Sequence, residues 1–276
     1  MNQRTVVAVL SRQIGEIMKI RLRSMYDSFP EKYGASDKQI NFYVDNNVYF
    51  LDNTDRHAEN AICLLVEPRS IIPNTYTWVS ENWHKFKYVF TFDSEMLKLP
   101  NAKLLIYGQI TAEYPDAPKT KNISMVASNK DMCKGHLQRR WTAMELSDRI
   151  DTYGTFNGGA YCEDETYLSG YRFNVAMENY SDGHYFTEKI CNCLASKTIP
   201  IYYGCPHIGE YFNTDGIIVC KTPEEIVEAV GEVLKNPEAI YEIRKDAIEE
   251  NYRLVQKYRR YAKLFLEMYG VLLEGI

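Results

Sequence analysis

Thr187, Glu188 and Lys189 stand where a polar loop containing Asp182-Gly183 gives way to the helix-forming run Ile190–Ala195. The first turn of a helix presents unpaired N–H groups and about half a positive charge, so it draws anions, and Lys189 would add a full charge there. Glu188 is a two-oxygen acceptor, better suited to a pair of ribose hydroxyls than to a phosphate. Together these residue types describe a site for a nucleoside diphosphate. The plainer account is that Glu188 compensates the helix dipole and Lys189 is a solvated side chain. A second carboxylate, Glu67, ends the apolar run Ala61–Val66 and precedes Pro68. A carboxylate at the carboxyl end of a strand points into the crevice where open α/β sheets bind ligands, which is where a general base is needed. Its alternative is a strand-end surface glutamate.

These side chains require a βαβ frame. Phe173–Met177 reads as a strand that stops at Glu178-Asn179, a helix runs from Thr187 to near Ser196, and Ile199–Tyr203 reads as a buried strand closed by Gly204-Cys205-Pro206. Upstream, Val6–Leu10 is a strand candidate, and Gln13–Tyr26 carries a helical stripe of Ile14, Ile17, Met18, Leu22 and Met25. Ile40–Val44 and Val48–Leu51 are strand candidates split by the turn signal Asp45-Asn46-Asn47, followed by a helix over Asn74–Phe86 and strands at Tyr88–Asp93 and Leu104–Tyr107. Trp78, Trp83 and His84 on that helix could stack on a sugar, but tryptophan on a helix is more often core filling. Thr111–Lys121, with two prolines, reads as a linker. Beyond it come a strand at Ile123–Ala127 and a helix at His136–Ile150 whose core contacts would be Leu137, Trp141, Met144 and Leu146. A short helical turn at Ile208–Phe212, a strand at Gly216–Val219, a helix from Thr222-Pro223 to near Asn236 and a long helical tail complete the chain.

Three blocks in order, Phe173-Asn174-x-Ala176-x-Glu178-Asn179, then Tyr185-x-Thr187-Glu188-Lys189, then Ile199-Pro200-Ile201-Tyr202-x-Gly204-x-Pro206, resemble the donor-binding motif of the α-1,3-fucosyltransferases, glycosyltransferase family 10. The resemblance implies an α/β fold of GT-B type, two Rossmann-like domains facing a central cleft. It places an acceptor-side domain over residues 1–115, a nucleotide-sugar donor domain over 122–255 and a C-terminal helix, 256–276, packing back towards the first. It implies an inverting transferase that moves a sugar, L-fucose from GDP-fucose, onto a hydroxyl of an acceptor oligosaccharide or glycoconjugate. Other nucleotide sugars, such as UDP-xylose or a GDP-hexose, and a catalytically silent binding protein are the alternatives. By matching position Glu67 becomes the base, Arg139 the pyrophosphate contact with Arg140 one residue away as the alternative, Glu188 and Lys189 ribose and phosphate ligands, and Asn179 and Tyr185 contacts at the sugar-phosphate end. A guanidinium fork suits a pyrophosphate. No Asp-x-Asp metal motif appears, so no metal or other cofactor is expected beyond the donor.

Composition narrows the partners. The 276 residues carry 32 Lys plus Arg against 37 Asp plus Glu, a net charge of -5, which argues against nucleic acid as a partner. Seven cysteines without metal-ligand spacing, no apolar run of about 18 residues, and a short apolar segment at the N-terminus point to a cytoplasmic protein without a transmembrane segment. The Asn-x-Ser matches at Asn122 and Asn179 then read as chance. Lys257, Arg259 and Arg260 form a basic group that reads first as a solvated helix face and second as a peripheral membrane contact.

Overall fold

The computed structural model describes residues 19–23, 39–49, 51 and 60–274. The chain divides into two compact units, Met1–Tyr107 with Arg260–Ile276, and Gly108–Arg259. The first contains a wholly parallel sheet in sequential order: β1 (Lys19–Arg23), β2 (Gln39–Val44), β3 (Ala61–Leu64), β4 (Tyr88–Thr91) and β5 (Ala102–Leu104). Helix α1 (Pro73–Asn82) joins β3 to β4. The expected strand at Val6–Leu10 lies outside the described residues. Within the expected helix Gln13–Tyr26, the described part is β1, paired with β2 from Lys19 opposite Gln39 to Arg23 opposite Tyr43. Ile20 and Leu22 repeat at two, and that short period prevails over the longer helical stripe because a neighbouring strand is there to pair with.

Along these strands alternate residues serve opposite faces. Phe42, Val44, Ile62, Leu64 and Phe90 form one core, covered by Phe265 and Leu273 of the last helix of the chain. Tyr43, Cys63 and Val89 form the other, covered by Tyr76 and Val79 of α1. Trp78 belongs to this second layer, edge-on to Tyr49 and Phe86, so packing accounts for it.

The second unit is also built on a wholly parallel five-stranded sheet, in the order Ile218–Val219, Ile199–Tyr203, Tyr171–Met177, Lys121–Val126, Asp151–Tyr153. It comprises β6 (Lys121–Val126), α2 (Lys134–Leu146), β7 (Asp151–Tyr153), α3 (Asp164–Leu168), β8 (Tyr171–Met177), α4 (Glu188–Ala195), β9 (Ile199–Tyr203) and β10 (Ile218–Val219). The helices α5 (Pro223–Lys235), α6 (Pro237–Glu242) and α7 (Lys245–Val255) follow, and α8 (Tyr261–Glu274) returns to the first unit. Thr222 caps α5 by accepting from the Glu225 N–H, with Pro223 in the first turn, as its sequence foretells. Residues 111–119, polar and proline-containing, are stitched to α4 and its exit: Asn192 Oδ1 accepts from the N–H groups of Thr111 and Ala112, and Lys119 Nζ donates to the Ser196 carbonyl. No helix among the described residues is long and apolar enough to cross a membrane. All seven cysteines are free thiols.

Two expectations are corrected. On α2, Leu137, Trp141 and Met144 are exposed, and only Leu146 of the expected contacts is buried; the inward face is Gly135, His136, Thr142, Ala143 and Leu146. The helix shows small and polar residues to the sheet because its first turn must approach another backbone closely. Instead of a strand at Val48–Leu51, residues Asp45–Tyr49 form a 3-10 turn. Asp45 adopts φ +51°, a left-handed conformation that ends β2, and Val48 and Leu51 reach the core from the turn.

That turn fixes the exit of β3. The buried Asp45 Oδ1 accepts from the N–H groups of Val66 (2.8 Å) and Glu67 (3.2 Å), and the Tyr76 hydroxyl donates to the Glu67 carbonyl at 3.0 Å. Burial pushes the Asp45 carboxyl up to about 7, against the lowering effect of those two N–H groups, and the Glu67 charge pushes the same way as burial.

Leu146→Ala is expected to destabilise the second unit by about 2–5 kcal/mol, whereas Leu137→Ala should change it by less than about 0.5 kcal/mol, read by urea unfolding. Asp45 gives a pH signature. Its folded-state value lies above the unfolded one, so ionisation works against folding: the penalty is absent below about pH 4, grows as pH rises, and is complete above about pH 7. Asp45→Asn keeps the Oδ1 acceptor and should remove that decline, gaining on the order of 4 kcal/mol or less at pH 8 relative to pH 4. Denaturation midpoints that keep a constant offset from wild type across this range would contradict it.

Candidate functional site

In the second unit the chain leaves β6 through α2 towards β7 on one side, and leaves β8 through α4 towards β9 on the other. The crevice between the carboxyl ends of β6 and β8 is the topological switch point, the place where open parallel sheets bind ligands. The residues that bear chemistry collect there. Gly135, in the first turn of α2, lies so close to the backbone of Asn179 that a Cβ would stand 2.1 Å from the Asn179 carbonyl oxygen. Only glycine allows that approach. One turn later Arg139 donates from Nη1 to the carbonyl of Met177, the last residue of β8, at 3.1 Å.

Glu178 follows Met177 and is fully buried. Its Oε1 accepts from the Thr187 N–H at 2.8 Å, its Oε2 accepts from the Thr187 hydroxyl at 2.7 Å, and Lys189 Nζ stands 3.4 Å from Oε2. A Cβ at residue 204 would meet the Glu178 Cγ at 2.5 Å, so Gly204 makes room for the carboxylate. Thr187 caps α4, its hydroxyl accepting from the Lys189 N–H. Lys189 Nζ also donates to Glu188 Oε1 at 3.0 Å, so one ammonium is shared by two carboxylates.

Burial alone would raise the Glu188 carboxyl, but the Lys189 ammonium, its hydrogen bond and the N–H and hydroxyl groups at the helix start outweigh it and hold Glu188 at about 2. The Glu188 side chain remains 30% exposed, open to a ligand while charged. Burial opposes the Lys189 charge, and Glu188 and Glu178 reverse that, so its net displacement is upward. Glu178 is displaced upward by burial, moderated by Lys189. Burial lowers Arg139, countered by the charges of Glu178 and Glu188, and a guanidinium remains protonated throughout. Arg139, Lys189, Glu178 and Glu188 therefore sum to zero when all are ionised. The surplus that favours an anion comes from the start of α4.

The structure thus brings Arg139, Glu188 and Lys189 into one electrostatic cluster. It pairs the other two expected donor residues with each other: the Tyr185 hydroxyl donates to Asn179 Oδ1 at 2.8 Å, and Tyr185 is buried. Glu67 belongs to the first unit, three residues beyond β3 and half-buried. Arg140, the alternative to Arg139, is half-buried on α2. Two residues escaped the sequence reading. Glu178 figures in the sequence as a strand stop and as a member of the Phe173–Asn179 block, with no role of its own, although an acid directly after an apolar strand and nine residues before a Thr cap is the available signal. His136 is buried with no hydrogen-bond partner on Nδ1 among the described residues, and burial together with Arg139, Lys130 and Lys189 pushes it down to about 4, so it is neutral. An orphaned buried ring nitrogen among three cations fits a contact to an anion. Among the described residues, the group with metal-ligand spacing is His184, His207 and Glu210, distinct from these carboxylates.

Residues 116–242 match the family model described as glycosyltransferase family 10 (fucosyltransferase) C-term. A putative fucosyltransferase-like protein of Arabidopsis thaliana is 32% identical over 133 residues, 45% of this chain and 26% of that protein. The alpha-(1,3)-fucosyltransferase FucT of Helicobacter pylori is 42% identical over 52 residues, 19% of this chain and 11% of that protein. The matches thus span about a quarter or less of these relatives. A crystal structure of alpha1,3-fucosyltransferase with GDP superposes with a TM-score of 0.53 at 18% identity, covering 85% of this chain and 77% of that one, a likeness of fold. Two parallel-sheet units with GT-B glycosyltransferases as structural neighbours give the fold as GT-B, and residues 116–242 are similar to the C-terminal domain of glycosyltransferase family 10.

Proposed function

We propose that this protein is an inverting fucosyltransferase that moves L-fucose from GDP-fucose onto a hydroxyl of an acceptor glycan. The observation that carries the proposal is the convergence of Arg139, Glu188 and Lys189 on the capped N-terminus of α4, at the switch point of a parallel sheet. Support comes from the family match, from a relative named as an alpha-(1,3)-fucosyltransferase, and from a structural neighbour solved with GDP.

In this reading the exposed Glu188 oxygen accepts from the ribose hydroxyls, and Arg139, Lys189 and the first N–H groups of α4 receive the diphosphate. His136 donates from Nδ1 to a phosphate oxygen, and Asn179 and Tyr185, locked by their mutual hydrogen bond, border the sugar-phosphate end. Glu67 takes the proton of the acceptor hydroxyl as that oxygen bonds to the anomeric carbon. The bond from the anomeric carbon to the phosphate oxygen breaks, and its electron pair leaves with GDP. Negative charge grows on the diphosphate at that moment, and the fixed cations of the site meet it without a metal acting there as Lewis acid.

Glu67→Gln is expected to leave GDP affinity within about 2-fold by calorimetry while lowering kcat about 10²–10⁴-fold. Lys189→Ala should weaken GDP about 10-fold or more. Selective binding of UDP over GDP by the wild-type protein would move the donor to a UDP sugar, and full turnover in Glu67→Gln would remove Glu67 as the base.

A further inference from the structure

Beside the cluster just described, and outside the roles assigned to it, two imidazoles and a carboxylate converge from separate loops. His184 lies in the loop between β8 and α4, three residues before the Thr187 cap. His207 and Glu210 lie after β9, His207 as the residue that opens and Glu210 as the residue that ends a 3-10 turn at Ile208–Glu210. One ligand atom from each, taken together, all fall within 4.8 Å of one another. His207 Nδ1 is 3.6 Å from Glu210 Oε1, and the His184 and His207 rings meet edge to face at 5.5 Å between centroids.

We infer that His184, His207 and Glu210 form a site for a divalent transition-metal ion, with Zn²⁺ as the ion of choice. Two imidazoles and one carboxylate are a ligand set that suits zinc over magnesium or calcium, which take oxygen. Zinc bonds at about 2.0–2.2 Å in a tetrahedron place ligand atoms about 3.3 Å apart. The present spacing needs a closure of about 1.5 Å, which the exposed side chains of His207 and Glu210 supply by rotation about their own χ angles.

The ring of His184 is already oriented. Its Nδ1 shares a hydrogen bond of 2.7 Å with the Tyr211 hydroxyl. When Nδ1 carries the proton and donates to Tyr211, the lone pair is on Nε2, the arrangement in which an outer partner fixes the tautomer of a metal-bound histidine. The two loops are also held in register beneath the group, because the Cys205 thiol donates to the Gly183 carbonyl at 2.9 Å. As an ion pair alone, His207 with Glu210 at the surface would contribute little. Three protein ligands leave a fourth position for water.

The ion would clip the loop that carries Tyr185 and leads into Glu188 and Lys189 to the segment that follows β9. Its role is to hold the loop, and it takes no part in bond making.

The test uses Zn²⁺ and Co²⁺ alone on the full chain. Calorimetry should find one equivalent of Zn²⁺, and Co²⁺ should give the visible d–d bands of a tetrahedral nitrogen and oxygen site. His207→Ala and Glu210→Gln, both at exposed positions, should keep the melting temperature of the metal-free protein and each weaken Zn²⁺ at least 10-fold. Cys162→Ser, which removes the one thiol that is not buried, should leave the affinity unchanged. Absence of stoichiometric binding, or binding that persists in both His207→Ala and Glu210→Gln, would overturn the inference.

Discussion

The hold of Glu178 on Thr187 is the interaction from which the rest of the second unit's site follows. A fully buried carboxylate is tolerated only when hydrogen bonds and opposite charge replace its water, and Glu178 obtains all of these from the first residues of α4. The same contacts set where α4 begins, turn its N-terminus towards the end of β8, and bring Lys189 between two acids. Because Lys189 is shared, Glu188 is not wholly consumed by its neighbour. Its carboxylate stays ionised and partly open, the condition for receiving hydroxyl groups from a ligand. Glycines at 135 and 204 clear the space in which this is done, one for a backbone and one for the carboxylate itself.

The first unit uses a related device. Asp45, at the end of β2, accepts from two N–H groups at the exit of β3 and so fixes the backbone of Glu67. In both sheets, then, a buried acid at one strand end orders the chain that carries a second acid, and in both the buried acid has its carboxyl displaced upward by burial. The difference lies in the counter-charge. Lys189 lies beside Glu178, whereas Asp45 meets the charge of Glu67, which has its own sign. A proton on Asp45 therefore relieves the first unit near neutral pH, while the second unit is relieved by its lysine.

Much of this was legible in the residues. The βαβ unit from Tyr171 to Gly204, the Thr187 cap and the Pro223 helix start appear as read, because local signals and tertiary packing agree there. The failures have physical causes. Residues 19–23, inside a stripe that reads as helix, become a strand because a neighbouring strand is available for pairing, which only the folded chain supplies. Leu137, Trp141 and Met144 mark a face of α2 by apolarity, but the buried face is the one that carries Gly135, whose backbone approaches Asn179 closely, with His136 and Ala143. Val48 to Leu51 has strand composition, and one left-handed residue before it, Asp45, ends β2 and starts the turn that takes in Val48. His136 was invisible because its significance is a missing partner, a property of surroundings and not of residue type.

The most direct test of the account is the GDP affinity of Glu178→Gln measured by calorimetry against wild type, with circular dichroism to establish that the fold persists. Glutamine retains an acceptor for the Thr187 N–H but removes the charge that shares Lys189, so Glu188 alone holds the ammonium and gives less to a ligand. The account predicts affinity about 10-fold weaker or more, a loss of about 1.4 kcal/mol. An affinity equal to that of wild type in a folded Glu178→Gln protein would contradict the claim that this buried carboxylate organises the site.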